Sequence, residues 1–100
     1  MIFKLKKTRE ADAQLVALAT DKSKQGIFNQ VRKVLGYLQT NPRHPSLRTH
    51  EFQSLVHPWD SSRKVFEAYV QNKSPNAYRV FWCYGPEHRE ITIISITPHP

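Results

Sequence analysis

Apolar and charged positions alternate from Ile2 to Lys7, with Phe3 and Leu5 on one side and Lys4 and Lys6 on the other. That period of two predicts a strand at a sheet edge, where lysines discourage pairing with another chain. Thr8 then suits a helix N-cap, and Ala11, Leu15, Leu18 and Ala19 recur at helical spacing through Arg9–Thr20. After a polar break from Asp21 to Gly26, a second apolar stripe runs through Ile27, Phe28, Val31, Val34, Leu35 and Leu38. Asn41-Pro42 ends this helix, because the residue before a proline is pushed out of helical geometry.

Residues Asn41 to Arg63 lack clean periodicity and carry three prolines and three histidines, His44, His50 and His57. A connection this long in a small domain is functional or hides a short element. Three strands follow. Val65–Gln71 puts Phe66, Ala68 and Val70 on one face and Glu67 and Tyr69 on the other. Tyr78–Tyr84 separates Tyr78, Val80, Trp82 and Tyr84 from Arg79, Phe81 and Cys83. Ile91–Thr97 is the last strand. Turns are expected at Lys73–Asn76 and at Gly85–Glu90. The order β-α-α-β-β-β, with short turns late in the chain, implies an α+β domain. A two-helix hairpin should pack on one face of a mainly antiparallel four-stranded sheet.

One hundred residues make a single domain spanning 1–100. A chain of this size buries roughly 65% of its unfolded surface, enough for one modest core. The single cysteine, Cys83, excludes an internal disulfide and fits a reducing compartment. No apolar run approaches the roughly 18 residues of a membrane span, so a soluble, cytoplasmic protein is expected. Fifteen Lys and Arg against eight Asp and Glu give a net charge of +7, which favours polyanionic partners through phosphate contacts and counterion release. An acidic protein partner satisfies the same charge.

Period-two counting gathers the chemistry. Glu67, Tyr69 and Arg79 fall on the sheet face opposite the helices, and His99 lies just past the last strand, where Pro98 narrows the backbone. Histidine exchanges protons near neutrality, and the arginine fork suits phosphate. Bland readings remain beside each. Arg79 can pair with Glu67 across neighbouring strands, Tyr69 can be a sheet aromatic, and His99 a solvated tail residue. Cys83 reads as a small buried hydrophobe. No histidine pair has metal-ligand spacing beside it, so no cofactor or metal is expected.

The helical hairpin, the Phe66–Val70 strand, Tyr-Arg-Val-Phe-Trp over Tyr78–Trp82, and Ile93–Ile96 running into a terminal histidine together resemble the RelE/ParE superfamily of bacterial toxins. Asn41–Leu47 is similar to the segment after the second helix in these proteins. The resemblance covers nearly the whole chain in element order. It implies the toxin of a type II toxin–antitoxin pair, with a cognate antitoxin as partner. The RelE-like branch implies a metal-independent mRNA endonuclease acting on the ribosome; the ParE-like branch implies gyrase as target. By resemblance Arg79 would contact the scissile phosphate and His99 would be the general acid. Glu67 or His44 would be the base, with Tyr69 beside them. Arg48, His50, Arg63 and Lys64, with Lys4 and Lys6, would touch RNA. RelE carries a lysine pair where Glu67 and Tyr69 stand, so either a carboxylate takes over or the site is weakened.

Overall fold

The computed structural model describes residues 2–71 and 76–99. The chain runs through β1 (Lys4–Lys7), α1 (Arg9–Thr20), α2 (Gln25–Thr40), β2 (His50–Glu51), β3 (Phe66–Tyr69), β4 (Tyr78–Tyr84) and β5 (Glu90–Pro98). Short 3₁₀ turns at Lys22–Lys24 and Pro45–Leu47 join them. The sheet has five strands in the order β1-β5-β4-β3-β2, one more than the alternation indicates. The added strand, β2, is two residues long, too short to show a period. β1 is an edge strand and pairs with β5 in parallel; the other pairs are antiparallel. Of the turn expected at Lys73–Asn76, only Asn76 lies within the described residues.

Both helices cover one face. Ala11 and Leu18 of α1 and Val31, Val34 and Leu38 of α2 pack against Ala68, Val80, Trp82, Ile91, Ile93 and Ile96 of the sheet. Each large aliphatic side chain buried this way contributes about 1.5–3 kcal/mol. In β5 the helix-facing isoleucines switch from odd to even numbers. Phe81 pairs with Ser95 while Trp82 pairs with Ile93, which leaves Ile94 as a bulge. The extra residue shifts the alternation by one and turns Ile94 to the other face.

Thr8 ties that bulge to α1. Its hydroxyl donates to the Ile94 carbonyl at 2.6 Å and accepts from the Ala11 amide at 3.0 Å, so one side chain caps the helix and satisfies the irregular strand. The Gln14 side-chain carbonyl accepts from the Ile96 amide at 2.7 Å. α1 thereby fixes the course of β5 and of the residues beyond it.

The face opposite the helices is partly covered. The 52–65 segment folds back so that Phe52 and Leu55 pack on a second cluster of Val65, Phe81, Cys83 and Ile94. Phe52 and Phe81 lie 4.7 Å apart by ring centroid, which is packing beneath a loop. At the loop's far end Trp59 presses toward Gly85. Gly85 has φ +104, and a Cβ there would meet the Trp59 ring at 2.9 Å, so the position requires glycine on both counts.

Candidate active site

The rest of that face carries a cluster around Glu67. Pairing in β2–β3 sets His50 opposite Glu67, and pairing in β3–β4 sets Tyr69 opposite Arg79. Glu67 is 1% exposed and Arg79 7%, so both belong to the interior of the site. His50 Nε2 stands 2.7 Å from Glu67 Oε1, and His99 Nε2 stands 3.4 Å from Oε2. Arg79 Nε lies 3.9 Å from Oε2. A carboxylate removed from water is costly unless surrounded by cations and donors; His50 pairs with Oε1, while His99 and Arg79 face Oε2, which accepts no hydrogen bond among the described residues. The imidazoles remain accessible, with side-chain exposures of 48% for His50 and 41% for His99.

Arg79 is held rigidly. Its Nη1 donates to the carbonyls of Gln71 and Tyr78, and its guanidinium carbon lies 3.8 Å from the Tyr69 ring centroid. A planar guanidinium on an aromatic face is a preferred stack. Arg48 reaches over the same ring at 5.5 Å, so Tyr69 is flanked by two cations. Arg48 itself adopts φ +50, a left-handed residue that reverses the chain between the Pro45–Leu47 turn and β2. The reversal delivers His50 to the sheet edge, where the Arg48 carbonyl lies 3.3 Å from His50 Nδ1. Each ring nitrogen of His50 therefore faces an acceptor.

His99 is positioned mainly by backbone. Its amide donates to the Ala77 carbonyl at 2.8 Å, which extends the β4–β5 ladder past the Tyr78–Pro98 pair. Pro98 narrows the backbone as expected, but ladder pairing sets the direction.

Other residues expected at the site lie elsewhere. His44 stacks on Tyr37 at 4.0 Å and accepts from the Ser46 amide, at the helix-side end of the long connection. Arg63 donates to the Tyr84 carbonyl beside Gly85. Lys64 pairs with Glu51 at 3.9 Å, and Lys6 with Glu90 at 3.5 Å. Lys4 and Lys6 sit on β1, the sheet edge opposite β2. The resemblance groups these lysines and arginines at the RNA; strand order sets Lys4 and Lys6 at the far edge of the sheet from His50. The tight His50–Glu67 contact and the anchoring carbonyl of Gln71 had no signal in the sequence, because both follow from register.

Off the cluster, hydrogen bonds from Ser23 and Ser62 hold the carboxyls of Asp21 and Asp60 below the usual value, and two buried groups are shifted as well. Burial holds His57 below the ordinary histidine value, helped by the nearby Arg63 and opposed by the Tyr84 carbonyl. Its Nδ1 accepts from the amides of Trp59 and Asp60, so it braces the loop as a neutral acceptor. Burial pushes the Cys83 thiol up to about 11, which marks it as structural. Among the described residues no three His, Cys, Asp or Glu side chains gather in a metal-binding group. No described helix is long and apolar enough to cross a membrane.

The fold is that of RelE/ParE-type toxins. A chain of the archaeal RelE–RelB complex from Pyrococcus horikoshii OT3 superposes with a TM-score of 0.64 at 15% identity, covering 98% of this chain and 96% of that one. The YoeB/ParE toxin from Agrobacterium tumefaciens gives 0.68 at 8% identity, covering 97% and 99%. The YoeB dimer from Staphylococcus aureus gives 0.65 at 10% identity, covering all of both chains. No protein-family model and no curated protein matches the sequence.

Proposed function

We propose, from a toxin fold that carries two accessible imidazoles on one buried carboxylate, that this chain is the toxin of a toxin–antitoxin pair and cuts messenger RNA without a metal. The observation that carries the reading is the convergence of His50 and His99 on Glu67 beside the fixed charge of Arg79. RNA cleavage at its own 2′-hydroxyl needs a base, an acid and a cation at the phosphate.

In this reading the neutral His50 keeps its Nε2–H on Glu67, turns Nδ1 away from the Arg48 carbonyl, and takes the 2′-hydroxyl proton there as O2′ bonds to phosphorus. The P–O5′ bond breaks as His99 delivers a proton to O5′, leaving a 2′,3′-cyclic phosphate and a free 5′-hydroxyl. Glu67 is too enclosed to reach RNA as the base. It is a positioning residue that aims both rings and offsets the charge on the imidazolium formed at His50. Arg79 supplies a rigid positive charge beneath the phosphate, and the exposed Arg48 grips it from outside. The net charge of +7 suits a ribosome-bound message as substrate. The RelE–RelB likeness supports an antitoxin as the partner that restrains the activity.

A non-catalytic binder, gyrase-directed in the manner of ParE, is the second reading. The burial of Glu67 and Arg79 favours it, since an enclosed ion cluster can serve stability alone. Incubating purified protein with ribosomes programmed with a defined message separates the two. Mapped 5′ ends should show discrete cuts, and His50→Ala and His99→Ala should each slow cutting by about 10²-fold or more. An intact message with wild-type protein rules out the nuclease, and DNA breaks on expression would point to gyrase.

A further inference from the structure

One half-buried ring, that of Tyr69, joins three of the groups that the cleavage reading uses. The Arg79 guanidinium carbon lies 3.8 Å from its centroid and that of Arg48 5.5 Å, and the His50 ring meets it edge-on at 5.7 Å. Arg79 needs the ring least, because the Gln71 and Tyr78 carbonyls already hold it. Arg48 differs. It is exposed, stands just before the edge strand β2, and also borders a cleft on the helix side of the sheet lined by Pro42, Phe66 and Trp82. Among the described residues no carboxylate pairs with it. Charge alone would drive it away from Arg79, since two guanidiniums repel. The negative face of an aromatic ring attracts both. The Tyr69 ring is therefore what keeps Arg48 on the cluster side of the sheet edge.

We propose that Tyr69 is a positioning residue that sets Arg48 beside Arg79 as a two-part phosphate clamp, an inference that rests on the RNA-cleaving reading above. The buried Arg79 is the fixed part and Arg48 the outer part. Together they present two ordered guanidiniums to the strand, where an unsupported surface arginine would offer one loose charge. The ring face does this work rather than the phenol hydroxyl. Phenylalanine should therefore serve in its place, and an aliphatic side chain should not.

The test is a double-mutant cycle on RNA binding by the full chain at low salt. Fluorescence anisotropy reads the affinity for a labelled 2′-O-methyl oligonucleotide, which has no 2′-hydroxyl with which to be cut. Tyr69→Leu should weaken binding about two- to fivefold, the range that an exposed cation–π contact supplies. Tyr69→Phe should restore most of that loss. Arg48→Ala should weaken binding at least as much, and adding Tyr69→Leu to it should cost little more, because the ring acts through that arginine. Losses that multiply in the double variant overturn the proposal, since ring and arginine then act independently. Tyr69→Leu binding as tightly as wild type does the same, as does wild-type protein that fails to bind. Tyr69→Phe binding as weakly as Tyr69→Leu overturns it too, by assigning the contact to the hydroxyl. Thermal melts accompany each variant, and Tyr69→Ile, a stronger strand former, takes the place of leucine if that variant unfolds. Nothing is cut in this assay, so its failure leaves the cleavage reading intact. Conversely, the expected coupling in a protein that leaves programmed messages whole would fail only that reading.

Discussion

His50 and Glu67 face each other across the β2–β3 pair, with Nε2 2.7 Å from Oε1. One partner is half exposed and the other sealed, so the carboxylate anchors and the imidazole reaches solvent. The surrounding charges make this cluster both a stability element and a candidate site.

Glu67→Ala should destabilise the fold by about 3–5 kcal/mol, because it strands the Arg79 charge, whose side chain is 9% exposed. Glu67→Gln should cost less, since an amide still accepts from His50. Urea unfolding followed by tryptophan fluorescence measures both. An alanine variant as stable as wild type contradicts a buried ion cluster.

Arg79→Lys keeps the charge but loses the planar stack on Tyr69 and the paired donation to the Gln71 and Tyr78 carbonyls. A loss of about 1–3 kcal/mol is expected. If lysine proves neutral by the same assay, charge alone matters at position 79 and the geometric argument fails.

The Cys83 thiol, buried and raised to about 11, should resist alkylation near pH 8 in the native protein and react fully in denaturant. Mass spectrometry after timed exposure to iodoacetamide reads this. Rapid native labelling would mean that the 52–65 cover over the sheet opens often.

Folding holds His57 below its ordinary value of 6.5. As pH falls through 6.5 the unfolded chain gains a proton before the folded one does. The contribution of His57 is therefore complete above 6.5 and declines below it, until the folded histidine protonates too. His57→Gln should lose less stability than wild type between about pH 7.5 and pH 5.5, in paired denaturation curves. Identical losses would show that His57 is not the group responsible.

Strong local signals were readable without coordinates. Thr8 and the Arg9–Thr20 spacing located α1 to the residue, and the alternation of Tyr78–Tyr84 located β4. Sheet face followed correctly for Glu67, Tyr69 and Arg79, since β3 and β4 have no bulge between them. His44 and His50, by contrast, sit in one aperiodic stretch and look equivalent as text. Only pairing with β3 sends His50 to the carboxylate and leaves His44 against Tyr37.

Local chemistry along the chain thus sufficed for the helices, the main strands, the surplus of positive charge and the candidate acid–base residue types. Those features depend on neighbours a few residues apart, which a linear reading contains. The parallel β1–β5 pairing, the Ile94 bulge, the loop packed on the sheet and the choice of His50 emerged only on folding. Each arises from contacts between distant segments, where packing and register rather than periodicity select the partner.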